Sequence, residues 1–118
     1  MINVNIEKFP KEDYFLVNLE GRFDKNDEEE LKKLIINIKN ENFKNCIINA
    51  NGIHYLTSSG IKCFIEIINY FKKSNGLVIF CNFNKFAIKI LNILHIDDIF
   101  ILARDIKEAK EIIKKQSN

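Results

Sequence analysis

A chain of 118 residues, 47% of them hydrophobic, carries enough apolar material for one core, and residues 1–118 are expected to form a single domain without covalent staples. Its formal net charge of +2, with Lys and Asp/Glu interspersed and no basic block, gives no footprint for a phosphate backbone, so direct nucleic-acid binding is not expected. No apolar run approaches the ~18 residues of a membrane span and no signal peptide opens the chain, so a cytoplasmic protein without membrane insertion is expected.

In chain order, Ile2-Asn3-Val4-Asn5-Ile6 alternates apolar and polar residues, Pro10 to Asp13 breaks the pattern, and Tyr14 to Leu19 resumes it, which predicts two paired strands. Gly21 ends the second strand. Asp24 to Asp27 supplies cap candidates for a helix whose apolar stripe is Leu31, Leu34, Ile35 and Ile38, ending near Asn40. Cys46-Ile47-Ile48 reads as a central strand covered on both faces, followed by a turn at Asn51-Gly52.

After Ser58-Ser59-Gly60, the apolar positions Ile61, Phe64, Ile65, Ile68 and Phe71 recur at helical spacing, and Ser74-Asn75-Gly76 closes that helix with glycine suited to a left-handed cap. Leu77 to Phe80 is a further buried strand. Phe86, Ala87, Ile90, Leu91 and Leu94 mark a third, shorter helix, and Ile99 to Leu102 a short strand. Asp105 caps the last helix, Glu108 completes a capping box, and Ile106, Ala109, Ile112 and Ile113 form its stripe. The order is β-β-α-β-α-β-α-β-α. An α/β fold with a mixed sheet of about five strands and about four helices follows, since the strand-helix-strand units pair in parallel and the first two strands antiparallel.

Few groups capable of chemistry converge. His54 and His95 lie in no HxxxH or HExxH pattern and read as a surface turn and a helix end; neither metal nor cofactor is expected. Cys46, Cys63 and Cys81 are odd in number and far apart, which fits neither a disulfide framework nor CxxC; Cys46 and Cys81 read as core, with Cys63 open. Asp97-Asp98 reads as a solvated turn, and the four glycines form no phosphate-binding array. What remains is Thr57-Ser58-Ser59-Gly60 at a helix start. Capping explains hydroxyls there, with Ser58 as the cap. Gly60 adds nothing to a cap and carries a helix penalty, so it points to close approach by a partner, and a phosphate on Ser58 would meet free amides at the positive end of the helix.

Leu19-Glu20-Gly21-Arg22-Phe23-Asp24, Cys46-Ile47-Ile48-Asn49-Ala50 and Ile53-His54-Tyr55-Leu56-Thr57-Ser58-Ser59-Gly60-Ile61 together resemble the STAS domain family, and within it the stand-alone anti-sigma factor antagonists of bacteria. Asn75-Gly76 and Asp105 to Ala109 fall in step, so the resemblance runs over nearly the whole chain. It implies a STAS-like fold and a binding protein, not an enzyme. By resemblance, Ser58 is the residue phosphorylated by an anti-sigma factor that is itself a serine kinase. The unphosphorylated form binds that kinase and frees the sigma factor, and a PP2C-type phosphatase resets the cycle. Asp24, Thr57, Ser59, Gly60 and Lys62 would share the contact surface.

Two positions depart from the family pattern: Thr57 stands where the acid before the first serine is usual, and Asn49 where an acid closes the central strand. Lys62 also replaces a small residue. Thr57 and Lys62 favour an alternative, a constitutive, unphosphorylated scaffold subunit of a signalling or lipid-transport complex. A small-ligand carrier or enzyme using the helix start as an anion site is a further alternative, with no general base, metal set or glycine loop to support it.

Overall fold

Alternation in the first residues becomes a hairpin whose second strand is central to everything that follows. The computed structural model describes residues 2–22 and 28–116. β1 (Ile2–Phe9) pairs antiparallel with β2 (Tyr14–Gly21), Ile2 opposite Gly21 and Phe9 opposite Tyr14. Between them Pro10–Glu12 makes a 3-10 turn, where the missing proline N–H is no loss, and left-handed Asp13 (φ 55°) returns its N–H to Pro10 O at 3.3 Å.

The chain continues through α1 (Glu28–Lys39), β3 (Asn45–Ile53), α2 (Ser58–Lys72), β4 (Val78–Cys81), α3 (Lys85–Ile93), β5 (Ile101–Ala103) and α4 (Ile106–Gln116). The sheet order is β1-β2-β3-β4-β5, with every pair after the first parallel. The expected element order and mixed five-stranded sheet are therefore observed.

Side chains two apart on a strand share a face, and this parity divides the core. Phe15, Val17 and Leu19 of β2, Cys46, Ile48 and Ala50 of β3, and Val78 and Phe80 of β4 pack under α1, α2 and α3. Tyr14, Leu16, Ile47, Ile79, Cys81 and Ala103 point the other way and pack with Ala109 and Ile113 of α4, with Phe9, Leu77, Ile106 and Ile112 partly buried around them. Phe64, Ile67 and Phe71 of α2 are buried against the first face, each burial stabilising the fold by about 1.5–3 kcal/mol. One helix is too narrow to cover its side of a five-stranded sheet, so part of that face stays open.

Several sequence expectations need correction. Asn51-Gly52 is not a turn: β3 runs on to Ile53, and the register with β2 shifts between Asn18 and Glu20. Gly52 serves a close approach at that irregularity, since a Cβ would lie 2.8 Å from Leu19 O. The left-handed residue after α2 is Asn75 (φ 59°), not Gly76, whose lack of a side chain lets the Lys44 carbonyl pass. On α3 only Ala87 and Leu91 are buried; Phe86 and Leu94, expected in the stripe, face outward. β5 begins at Ile101, and Ile99 is exposed before it. The cap candidates Asp24 to Asp27 lie outside the described residues.

Candidate functional site

The site grows from the carboxyl ends of β2 and β3. Gly21 pairs with Ile53, so the two chains leave the sheet side by side, and the Arg22 guanidinium lies over the Tyr55 ring at 5.1 Å. In the loop from His54 to Thr57, Leu56 is buried as an anchor, while His54 and Tyr55 are exposed.

Thr57, not Ser58, caps α2. Its backbone is extended (φ −94°, ψ 167°), its Oγ1 accepts the Gly60 N–H at 3.2 Å, and its carbonyl accepts the Ile61 N–H at 3.0 Å. Ser58 is therefore the first helical residue. It is exposed, and its hydroxyl has no hydrogen-bond partner among the described residues. The N–H groups of Ser58 and Ser59 also meet no acceptor there, leaving two donors at the positive end of a 15-residue helix.

Lys62 is exposed one turn along from Ser58, and i, i+4 spacing puts both on one face. Ser59 is half-buried and lines a cleft of about 340 Å³ between α1 and α2 with Leu31, Ile35, Lys62, Cys63 and Glu66. Gly60 is buried within the first turn. The Cys63 thiol is pushed up to about 12 by burial and by the Glu66 carboxylate, so it stays protonated at neutral pH. Asp24 lies outside the described residues. The structure thus brings Thr57, Ser58, Ser59, Gly60 and Lys62 together on one turn and a half of helix.

Sequence reasoning missed the flank of this site. Asn84 caps α3, accepting the Ala87 N–H at 2.8 Å, and its Nδ2 donates to His54 O at 3.2 Å and Ile53 O at 3.4 Å. That side chain holds α3 against the loop that presents Ser58. Phe86, 76% exposed, and Tyr55, 59% exposed, line a second cleft with Leu56 and Ile90, and Ile93 and Leu94 continue the apolar outer side of α3. The signal in the sequence was surplus apolar positions on α3, where Phe86, Ile90, Ile93 and Leu94 form a second stripe beside Ala87 and Leu91.

Among solved structures, the fold is similar to an anti-sigma factor antagonist from Mycobacterium paratuberculosis (TM-score 0.80, 16% identity, covering 97% of this chain and 95% of that one). It is also similar to RsbS of Moorella thermoacetica (TM-score 0.77, 17% identity, 97% of each chain). A third similar structure is the anti-sigma factor antagonist SpoIIAA in its unphosphorylated form (TM-score 0.74, 17% identity, 96% of this chain and 97% of that one). At such identities the likeness is one of fold. The STAS domain family model matches residues 4–109, nearly the whole described chain, and with the β-β-α-β-α-β-α-β-α order and the Thr57 to Ile61 helix start in place, the chain belongs to the STAS domain family.

Proposed function

We propose that this protein is an anti-sigma factor antagonist, a binding module without catalytic machinery that captures an anti-sigma factor carrying serine-kinase activity. Binding frees the sigma factor. Phosphorylation of Ser58 by that kinase releases the complex, and a PP2C-type phosphatase restores the free hydroxyl. The observation that carries this reading is the division of labour at the helix start: Thr57 makes the cap, so the exposed Ser58 hydroxyl is not needed by the fold.

The surroundings support a contact surface. Exposed aromatic and aliphatic side chains grouped beside a polar rim mark interaction sites, and Tyr55 and Phe86 are suited to anchor a partner. Thr57, Ser59, Gly60 and Lys62 stand on the same helix start as Ser58, and by the family resemblance Asp24 would share that contact surface. A phosphate adds about −1.5 to −2 charges at neutral pH. On Ser58 it would be held by the free amides and Lys62 while its hydration opposes burial of the neighbouring apolar patch.

The test is calorimetric titration with the cognate anti-sigma kinase. Ser58→Ala should bind as the parent protein does, whereas Ser58→Asp should bind at least about tenfold more weakly, a difference of about 1.4 kcal/mol. Phe86→Ala should weaken binding whatever stands at position 58. Equal affinity of Ser58→Asp and Ser58→Ala would remove the switch and leave the constitutive scaffold.

A further inference from the structure

We propose that the open half of the α4 face is a second binding site, for a neutral polyhydroxylated small molecule, built on a ladder of asparagine side chains. The site is separate from Ser58 and does not depend on the function proposed above.

α4 covers Tyr14, Leu16 and Ile47. By strand parity the next side chains on that face are Asn18 and Glu20 on β2 and Asn49 on β3, Asn51 joins the same cleft at the register irregularity, and the register places Asn5 opposite Asn18 and Asn3 opposite Glu20. Asparagine is disfavoured in strands, yet Asn5, Asn18 and Asn49 stand in one row across three adjacent strands. These residues line a cleft of about 530 Å³.

The polarity of the ladder is set by a group that can only donate. The Asn51 backbone N–H donates to Asn49 Oδ1 at 3.2 Å, which identifies the Asn49 oxygen, and Asn82 Nδ2 donates to the same oxygen at 2.8 Å. Asn49 Nδ2 must then face β2, where it donates to Asn18 Oδ1 at 2.8 Å. The Asn18 amino group is left over, and it has no protein acceptor among the described residues. The side-chain amides of Asn3, Asn5 and Asn51 likewise make no hydrogen bond among those residues. The inner amides are oriented before any ligand arrives, and the outer ones offer both donors and acceptors.

Charge selects the ligand. Among the described residues the cleft is lined by no Lys or Arg, by one carboxylate, Glu20, and by one imidazole, His54, so a phosphate or nucleotide meets a carboxylate and no ammonium or guanidinium. A hydroxyl both donates and accepts, as an amide does, and needs no charge. Several hydroxyls on one small ring match a row of amides spaced at the distance between strands, about 4.8 Å.

The experiment follows side-chain amide resonances of the full chain by NMR while N-acetylglucosamine, myo-inositol or inorganic phosphate is added at constant ionic strength. Saturable shifts of the Asn18 and Asn49 NH2 groups with at least one of the two neutral compounds, and none with phosphate, are expected. Asn18→Asp removes the free amino group while keeping the oxygen that Asn49 uses, and Asn5→Ala alters only the exposed edge strand; each should weaken binding about threefold to tenfold, the value of one hydrogen bond. Ser58→Asp should leave it unchanged. Absence of saturable shifts with both neutral compounds, equal shifts with phosphate, or unchanged affinity in both asparagine variants would overturn the proposal.

Discussion

Asn84 and His54 are joined by a hydrogen bond from a side chain that is already occupied: Asn84 Nδ2 donates to the His54 carbonyl at 3.2 Å while its Oδ1 caps α3 at the Ala87 N–H. One residue therefore carries a helix cap and a tie to the loop that presents Ser58. The two roles separate on substitution. Asn84→Asp keeps an oxygen for the cap but loses the donor to His54 and Ile53, whereas Asn84→Ala loses both. Urea unfolding should show Asn84→Ala destabilised by about 1–2 kcal/mol and Asn84→Asp by less. Both should show faster hydrogen exchange at α2's first turn, and an unchanged exchange pattern in Asn84→Asp would deny the tie.

Thr57 offers a parallel test on α2. Thr57→Ala removes the bond to Gly60 N–H and should lower stability by about 1 kcal/mol. Thr57→Asp keeps an acceptor and places negative charge at the positive end of the helix, so its urea midpoint should match or exceed that of the parent protein. Ser58→Ala should change stability little, because Ser58 makes no cap. A larger loss from Ser58→Ala than from Thr57→Ala would contradict the assignment.

Much of this arrangement could be read from the residues alone, and the gaps have physical causes. The stripe Leu31, Leu34 and Ile38 is periodic, and all three are buried. The choice between Thr57 and Ser58 as cap was not legible, because both hydroxyls can cap, propensity favours Ser, and only the point where the backbone turns helical selects Thr57. Asn51-Gly52 has turn chemistry, yet pairing with β2 outweighs it. Asn5, Asn18 and Asn49 lie far apart in sequence and become a row only through strand register, which local pattern does not specify. Phe86 and Leu94 misled because an apolar residue on an amphipathic helix reads as core whether a core or a partner covers it.

Gly52 sits where β2 and β3 change register, and the Cβ of an alanine there would lie 2.8 Å from Leu19 O and 2.9 Å from Glu20 Cα. Backbone atoms cannot step aside as a flexible side chain can. Gly52→Ala should cost about 1–3 kcal/mol and shift the Leu19 and Glu20 amide resonances. A Tm equal to that of the parent protein would show that the strands separate freely at this point.

The three thiols should be silent in the folded protein. Cys46, Cys63 and Cys81 are free and buried; burial raises all three, Cys63 to about 12 and Cys81 to about 11. The thiolate is the nucleophile, so iodoacetamide at neutral pH should label none of them until the chain unfolds. Rapid modification of Cys63 in the native protein would require the cleft between α1 and α2 to open.

Glu108 couples the start of α4 to pH. Its Oε1 accepts the Arg104 backbone N–H at 3.0 Å and its Oε2 the Arg104 Nε at 2.8 Å, while Asp105 Oδ1 caps the Glu108 N–H at 2.9 Å. The reciprocal capping bond expected at Asp105 N thus falls one residue earlier, on Arg104. The backbone hydrogen bond from Arg104, then its side-chain hydrogen bond, hold the Glu108 carboxyl below its ordinary range. A carboxylate depressed on folding contributes stability that is full above its unfolded pKa and is lost as pH falls through the lower, folded value. Glu108→Gln cannot ionise, so its stability should fall less steeply on acidification than that of the parent protein, and the two should converge at low pH. Urea midpoints across the acid range measure this directly, and parallel curves would mean that the Arg104 contacts form equally well with a neutral side chain.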